Sequence, residues 1–340
     1  MVRLSDFDYD LPEELIAQTP LADRSASRLL HLDPLTGAIV HRKFVDLVDM
    51  LNPGDVLVLN DSRVNACRLL GQRPTGGQVE VLALREVEPL VFECLVKPSK
   101  RLKPGARVEF GLGLFAEVLG DAHEGTRLVR FMGPGDVRVL MHEVGKMPLP
   151  PYIHTHLDDA ERYQTVVAQH AGSAAAPTAG LHFTPEILAN LKSKGVLVET
   201  VTLHVGIDTF RPIQVDDISQ HVMHGEECEI SPSTAASING ATGRVIAVGT
   251  TAVRTLESFA SSGAARVDAG RKSTQIFISP GYKFKVIDGM LTNFHFPKTT
   301  MMLMISALAS REFVLAAYEA AVREKYRFLS FGDSMALLKS

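Results

Sequence analysis

Tryptophan is absent from the 340 residues and aromatic residues make up only 6%, so the extended base-stacking platforms of single-strand binders are not expected. Cys67, Cys94 and Cys228 are odd in number and widely spaced. They supply neither a disulfide framework nor a paired zinc-ligand set, and read as reduced thiols. Apolar runs are short: Met301–Ile305, continued past one serine through Ala307–Ala309, falls well below the roughly 20 residues of a membrane-spanning helix. No membrane partner is expected. Charge of one sign is not in excess either. A formal charge of −4 argues against unselective coating of nucleic acid, while leaving room for a local basic patch. The N-terminus, Met-Val-Arg-Leu-Ser-Asp-Phe-Asp, turns acidic without developing an apolar secretory core, so a cytoplasmic location is expected.

What is present describes a folded chain. With 46% hydrophobic and 22% charged residues, it can bury a large core, and about two domains are expected at this length. The turn Leu51-Asn52-Pro53-Gly54-Asp55 feeds the apolar run Val56–Leu59, a buried strand ending in Asn60-Asp61-Ser62-Arg63, at the kind of strand end where α/β proteins build sites. A polar turn satisfying its own backbone is the competing reading. From Arg68 to Phe131 short β-prone pieces, Val79–Leu84, Val91–Val96, Arg107–Phe110, Phe115–Leu119 and Arg127–Phe131, alternate with turns and show no helical periodicity. They predict a small antiparallel barrel or sandwich. The proline-dense Met147–Tyr152 predicts an extended connector. Beyond it, Thr184-Pro185-Glu186 opens a helix that Gly195 closes. Strands are expected at Val196–His204, Arg244–Val248 and Gln275–Ser279, and helices at Thr251–Ala260, Lys298–Ala309, Arg311–Lys325 and Gly332–Leu338, the alternation of an α/β fold.

Several segments carry chemistry. Ala174–Thr184 is rich in small residues and runs to a helix start, so Pro177, Thr178, Ala179 and Gly180 suit close backbone approach by the anionic end of a small substrate. A tight packing crossover is the alternative. Val248–Thr255 passes from a strand through Gly249, Thr250 and Thr251 to Arg254, again suggesting carboxylate capture. It lacks the Gly-x-x-x-x-Gly-Lys spacing of a phosphate loop. His221, His224 and Glu226 lie close in sequence, but the i, i+3 histidine spacing followed by Gly225 converges poorly on a metal. No metal is expected; the segment reads as an acid/base pair of His224 and Glu226 or as a polar surface stretch. His204 and His182 are further acid/base candidates, each with a hydrogen-bonded core histidine as its alternative. Lys97–Arg107 holds five basic residues and no acid, which fits a phosphate backbone or a merely solvated run.

Taken together, these segments resemble the S-adenosylmethionine:tRNA ribosyltransferase-isomerase family of queuosine biosynthesis. The likeness runs from Asp6–Pro12 and Ser27–Leu30 through Asn60–Arg63, Thr75–Gly77, Gly145–Ile153 and Glu161–Thr165. It continues through Ala176–Thr184, Leu203–Gly206, Met223–Glu226, Val248–Thr251, Thr292–His295 and Tyr326–Phe328. The resemblance implies a discontinuous α/β domain, residues 1–61 and 152–340, with an inserted small antiparallel β-barrel domain at 62–151. It implies an enzyme that transfers and isomerises the ribosyl moiety of S-adenosylmethionine onto 7-aminomethyl-7-deazaguanine at the tRNA wobble position, giving epoxyqueuosine in tRNA and releasing adenine and methionine. S-adenosylmethionine is then the ribosyl donor and tRNA the partner. A monomer is the working expectation, although no feature of the sequence bears on oligomeric state. Asn65-Ala66-Cys67, Ile207-Asp208, Lys298 and Thr299 depart from the family pattern, while Arg63, Thr209 and His295 follow it.

On that basis a base beside the acidic C5′ hydrogens of the sulfonium substrate is needed, within hydrogen-bond reach. His182, His204 and His224 with Glu226 are candidates for it and for the acid that protonates adenine. Pro177–Gly180 with Thr250, Thr251 and Arg254 would hold the methionine carboxylate, Asp61 and Arg63 would read an extruded base, and Lys97, Lys100, Arg101 and Lys103 would hold tRNA phosphates. A metal-dependent hydrolase on His221, His224 and Glu226, or a tRNA-binding module without catalysis, are the rival classes.

Overall fold

The computed structural model describes residues 2–65, 68–122, 125–206, 213, 215–262 and 266–340. Ala66, Cys67 and 207–212, with Thr209 and the Ile207-Asp208 departure, lie outside the described residues. The chain divides into two compact units: Met1–Ser62, Pro151–His170 and Ala176–Ser340 form one, and Arg63–Pro150 with Ala171–Ala175 the other.

The first unit is built on a nine-stranded sheet. Its strands in chain order are β1 (Arg28–Leu32), β2 (Ile39–Lys43), β3 (Val56–Asn60), β4 (Leu197–Leu203), β5 (Glu226–Ile230), β6 (Val245–Val248), β7 (Gly270–Thr274), β8 (Gly289–Asn293) and β9 (Ser334–Leu337). They lie in the spatial order β7-β5-β4-β3-β6-β8-β9-β1-β2. At its centre β4, β3, β6 and β8 are mutually parallel, with Val56–Asn60 in register against Leu197–Val201. Central strands covered on both faces need continuous apolar runs rather than alternation, and β3, β6 and β8 are buried at every position. On one face Leu57, Leu59, Ile246, Val248 and Leu291 pack with Phe183, Ile187 and Leu191. Each such side chain contributes about 1.5–3 kcal/mol by leaving water. The helix Gly249–Ser258 packs along β3, β4, β6 and β8.

Two features fix the strand starts. Asp55 accepts from the Arg244 guanidinium, at 2.7 Å to Nη2 and 3.2 Å to Nε, and so ties the start of β3 to that of β6. Gly195, in the left-handed region at φ +91, turns the helix Pro185–Ser193 into β4, as helix-closing glycines do. Thr184 caps that helix by accepting from the Ile187 N–H at 3.3 Å.

The second unit contains a closed antiparallel barrel of Arg127–Met132, Val91–Lys97, Gln78–Glu88, Arg68–Gln72, Arg107–Gly111 and Leu114–Asp121, in that spatial order. Leu69, Val81, Cys94, Val108, Val118 and Phe131 fill it, and Val137 and Met141 of the helix Val137–Val144 join this core. The molecule is thus a mixed α/β protein with an antiparallel β-barrel, as the sequence predicts.

Three expectations fail locally. Gly332–Leu338 is not a helix: Ser334–Leu337 is β9, wholly buried between β8 and β1. Its Met, Ala and Leu favour helix, but pairing on both sides overrides so short a preference. Gln275–Ser279 is not a strand; the polar Gly270–Thr274 before it forms β7, at the sheet edge against β5. The strand β8 was not anticipated, its five residues giving no alternation. Among the described residues no single helix is long and apolar enough to cross a membrane.

Candidate active site

Because β4, β3, β6 and β8 run parallel, their carboxyl ends share one edge of the sheet. The chain order reverses about β3, with β4 on one side and β6 on the other, and such a reversal opens a crevice at the carboxyl ends. His204 follows β4, Asp61 follows β3, Gly249-Thr250-Thr251 follows β6 and Asn293 ends β8. The strand β5 runs antiparallel to β4, with Leu203 opposite Cys228, so its first residue, Glu226, reaches the same edge.

Glu226 is the electrostatic centre. Its Oε1 accepts the Gly206 N–H at 2.9 Å and lies 3.5 Å from His224 Nε2. Its Oε2 pairs with Arg254 Nη1, and Arg254 Nη2 donates to the Thr274 carbonyl at 3.3 Å. Both side chains are buried, with 1% and 6% exposed. Burial opposes ionisation of Glu226, but His224, Arg254 and the Gly206 N–H outweigh it and hold the carboxyl below its usual range. Arg254, expected to receive a ligand carboxylate, is thus bound to a carboxylate of its own chain. Its Nε remains buried and unpartnered.

The three histidines differ in a way that residue type alone conceals. His182 is saturated: Asn293 Nδ2 donates to the Leu329 carbonyl at 3.2 Å and to His182 Nε2 at 3.1 Å. That acceptor role places the ring proton on Nδ1, which donates to Ser27 Oγ at 2.8 Å. The ring also stacks on Phe44 at 5.0 Å. Burial first, then Arg24 and Arg327, push its imidazole down to about 4. His204 by contrast has a buried Nδ1 with no hydrogen-bond partner among the described residues, its backbone N–H being held by the Glu227 carbonyl. Burial first, then Arg271 and His170, against Asp61 and Glu227, lower its pKa. His224 directs its Nε2 at Glu226 Oε1, 3.5 Å away.

The small-residue loop and the glycine turn meet. Thr178 Oγ1 donates to Asn293 Oδ1 at 3.1 Å, the Pro177 carbonyl accepts the Gly180 N–H, and a Cβ on Gly249 would lie 3.4 Å from that of Ala179. Gly249 holds φ +84, where a side chain is strained. No side chain caps the helix that starts there, so its first N–H groups remain donors. Thr251 Oγ1 beside them is buried and unpartnered. Thr250 precedes it in the first turn.

Asp61 is buried and committed within its own unit. Its Oδ1 accepts from Thr202 Oγ1 at 2.7 Å, its Oδ2 lies 3.8 Å from His170 Nε2, and its carbonyl accepts the Gln169 and His170 N–H groups. Arg63 belongs to the second unit. So do Lys97, Lys100, Arg101 and Lys103, all exposed and without an ion pair among the described residues. Buried Leu102 seats the turn Ser99–Arg101 on the barrel core. Sequence reasoning gives no role to Asn293, Ser27 or His170, and marks Asn60 only as part of the strand end Asn60–Arg63. Asn60 joins the ends of β3 and β4, donating to the Leu203 carbonyl at 3.0 Å and accepting its N–H at 3.1 Å. Amides carry no chemical signal of their own, and only their place at strand ends could have marked them. Cys94 and Cys228 are buried and in no disulfide, and burial pushes the Cys228 thiol up to about 11.

Comparison with known proteins agrees along the whole chain. A family model described as queuosine biosynthesis protein matches residues 4–337. The chain is 52% identical over 342 residues to an S-adenosylmethionine:tRNA ribosyltransferase-isomerase of Symbiobacterium thermophilum, covering 99% of this chain and 100% of that one. It is 51% identical over 340 residues to the protein of that name from Acetivibrio thermocellus, covering 98% and 99%. A crystal structure of S-adenosylmethionine tRNA ribosyltransferase from Thermotoga maritima aligns with a TM-score of 0.56 at 36% identity, over 98% of this chain and 100% of that one. The chain therefore belongs to the queuosine biosynthesis family of S-adenosylmethionine:tRNA ribosyltransferase-isomerases, and it is an enzyme of that kind.

Proposed function

We propose that this enzyme transfers the ribosyl moiety of S-adenosylmethionine to the aminomethyl nitrogen of 7-aminomethyl-7-deazaguanine at the tRNA wobble position, and isomerises it, yielding epoxyqueuosine in tRNA with loss of adenine and methionine. The observation that carries this reading is that three buried polar atoms without a hydrogen-bond partner among the described residues, His204 Nδ1, Thr251 Oγ1 and Arg254 Nε, lie along one sheet edge. Buried polar atoms are ordinarily paired, and a polar ligand in the crevice supplies the missing partners.

His204 is the proposed base. A sulfonium acidifies the C5′ hydrogens, and an imidazole held neutral with a free ring nitrogen can take one, forming an ylide that expels adenine as the ribose opens. His224, facing Glu226, is the proposed acid toward the departing adenine. His182 has no free lone pair, so we assign it to holding the loop Pro177–Gly180 through Asn293 and Thr178. The uncapped helix start at Gly249, with Thr250 and Thr251, receives the methionine carboxylate. Arg254 acts there through Glu226. The nucleophile is the amine of the RNA base, so no protein thiol is required. Asp61 contacts the extruded base, and on the second unit Lys97, Lys100, Arg101 and Lys103 contact tRNA phosphates. The enzyme works in the cytoplasm as a monomer. The test is incubation with S-adenosylmethionine and tRNA with or without the aminomethyl base. Adenine release that requires the modified base supports the reading, and its absence refutes it.

A further inference from the structure

Next to the loop that His182 holds, the first unit carries a partly open recess whose lining includes Arg24, Arg162, Ser27, His182, Leu21 and Phe331. Its arginines have an unusual set of partners. Arg24 donates to the Gln164 and Glu161 carbonyls at 2.7 and 3.0 Å, and Arg162 to the Ala22 carbonyl at 3.1 Å and to that of Leu21. A third guanidinium, that of Arg327, donates to the carbonyl of Thr19, next to the recess residue Pro20. Its Nη1 is buried without a partner. None of the three is in an ion pair with a carboxylate among the described residues. Burial first and then Arg162 lower the Arg24 pKa, against the attraction of Asp159 and Glu161. Backbone carbonyls fix the forks but leave N–H donors and net charge unspent.

The three guanidiniums repel one another, and although Asp159, Glu161 and Asp333 attract them from nearby, an anion joining the forks would relieve that repulsion further. Guanidinium forks approaching from different chain segments suit a tetrahedral oxyanion better than a planar one. The recess is partly open, so it can meet one group of a larger molecule, with Leu21 and Phe331 as an apolar wall beside it. We propose that this recess seats a phosphodiester of the RNA substrate, gripped by Arg24 and Arg162 with Arg327 behind them. The inference rests on the tRNA substrate proposed above and adds a phosphate contact on the α/β unit itself.

The test uses Arg24→Gln and Arg162→Gln in the full chain, with a modified anticodon stem-loop RNA as probe. Binding should weaken, and the slope of log affinity against log salt should become shallower by about 0.7 for one lost contact to a single-stranded phosphate. Binding of S-adenosylmethionine alone, measured by equilibrium dialysis, should not change. Arg24→Lys, which keeps the charge and loses the fork, should weaken binding with the slope retained. Weakened S-adenosylmethionine binding with an unchanged RNA slope would make the recess a carboxylate holder and overturn the proposal. Unchanged binding of both ligands by folded variants would reduce the arginines to carbonyl ties and overturn it as well. Should the glutamine variants not fold, wild-type protein decides: inorganic phosphate should raise its melting temperature more than chloride at equal ionic strength, and equal effects contradict the proposal. Failure of the functional reading is distinct, since wild-type enzyme would then release no adenine.

Discussion

Glu226 and Arg254, 28 residues apart in the chain, form a buried ion pair that ties the first residue of β5 to the helix leaving β6. It joins the two sides of the strand-end crevice. Removing one partner leaves the other charge buried and alone, which is more damaging than replacing both. Arg254→Ala should therefore destabilise the protein by about 3–5 kcal/mol in denaturant titration, and Glu226→Gln by less, because the amide still accepts from Gly206. The pH dependence follows from the depressed carboxyl. The Glu226 contribution is complete above the ordinary carboxylate pKa and is lost as pH falls through the lower folded value. Wild type and Glu226→Gln should converge in stability in acid.

His182 and His295 have imidazoles pushed from 6.5 down to about 4, chiefly by burial. Between those values the unfolded chain binds protons that the folded chain refuses, so stability rises with pH over that window and is fully present above about 6.5. Each group is worth on the order of 3 kcal/mol across it. Denaturant titrations at several pH values from 4.5 to 7.5, reported as proton uptake on unfolding, check this. Carboxylates titrating at the acid end steepen the slope without changing its sign.

His182→Ala should fail by unfolding more than by chemistry. It strands Ser27 Oγ, removes one of the two bonds of Asn293 Nδ2 and removes the ring stacked on Phe44. A loss of roughly 2–4 kcal/mol in thermal or denaturant unfolding is expected. A fully stable variant with greatly reduced turnover would instead place His182 in the reaction.

Cys94→Ala and Cys228→Ala should retain turnover, since both thiols are buried and Cys228 is raised to about 11, far from the thiolate that nucleophilic chemistry needs. Rapid inactivation of native enzyme by an alkylating agent, traced to either residue, would contradict this.

Lys100, Arg101 and Lys103, replaced together by alanine, should weaken tRNA binding and flatten its salt dependence without altering S-adenosylmethionine affinity. An unchanged salt slope would remove them from the RNA interface.

The parts legible in the sequence were those decided locally. Thr184-Pro185 and Gly195 mark helix ends by capping and backbone chemistry, and the barrel strands alternate over a shared core. Ser334–Leu337 was misread because its state is set by β8 and β1, far away in the chain. The site divides in the same way. His204, Asp61 and Thr250 stand just beyond strand ends, where the sequence gives direct warning. The partners that distinguish one histidine from another are remote: Asn293 lies 111 residues from His182. No spacing rule reports whether an imidazole is saturated or free.

The central claim is that His204, at the carboxyl end of β4, removes a C5′ proton from S-adenosylmethionine. The most direct measurement is loss of deuterium to solvent from donor labelled at C5′, in the presence of modified tRNA, for wild type and His204→Asn. The account predicts release by wild type and a rate lower by about 10²–10⁴ in the variant, with S-adenosylmethionine binding retained. Release by His204→Asn at the wild-type rate would contradict it.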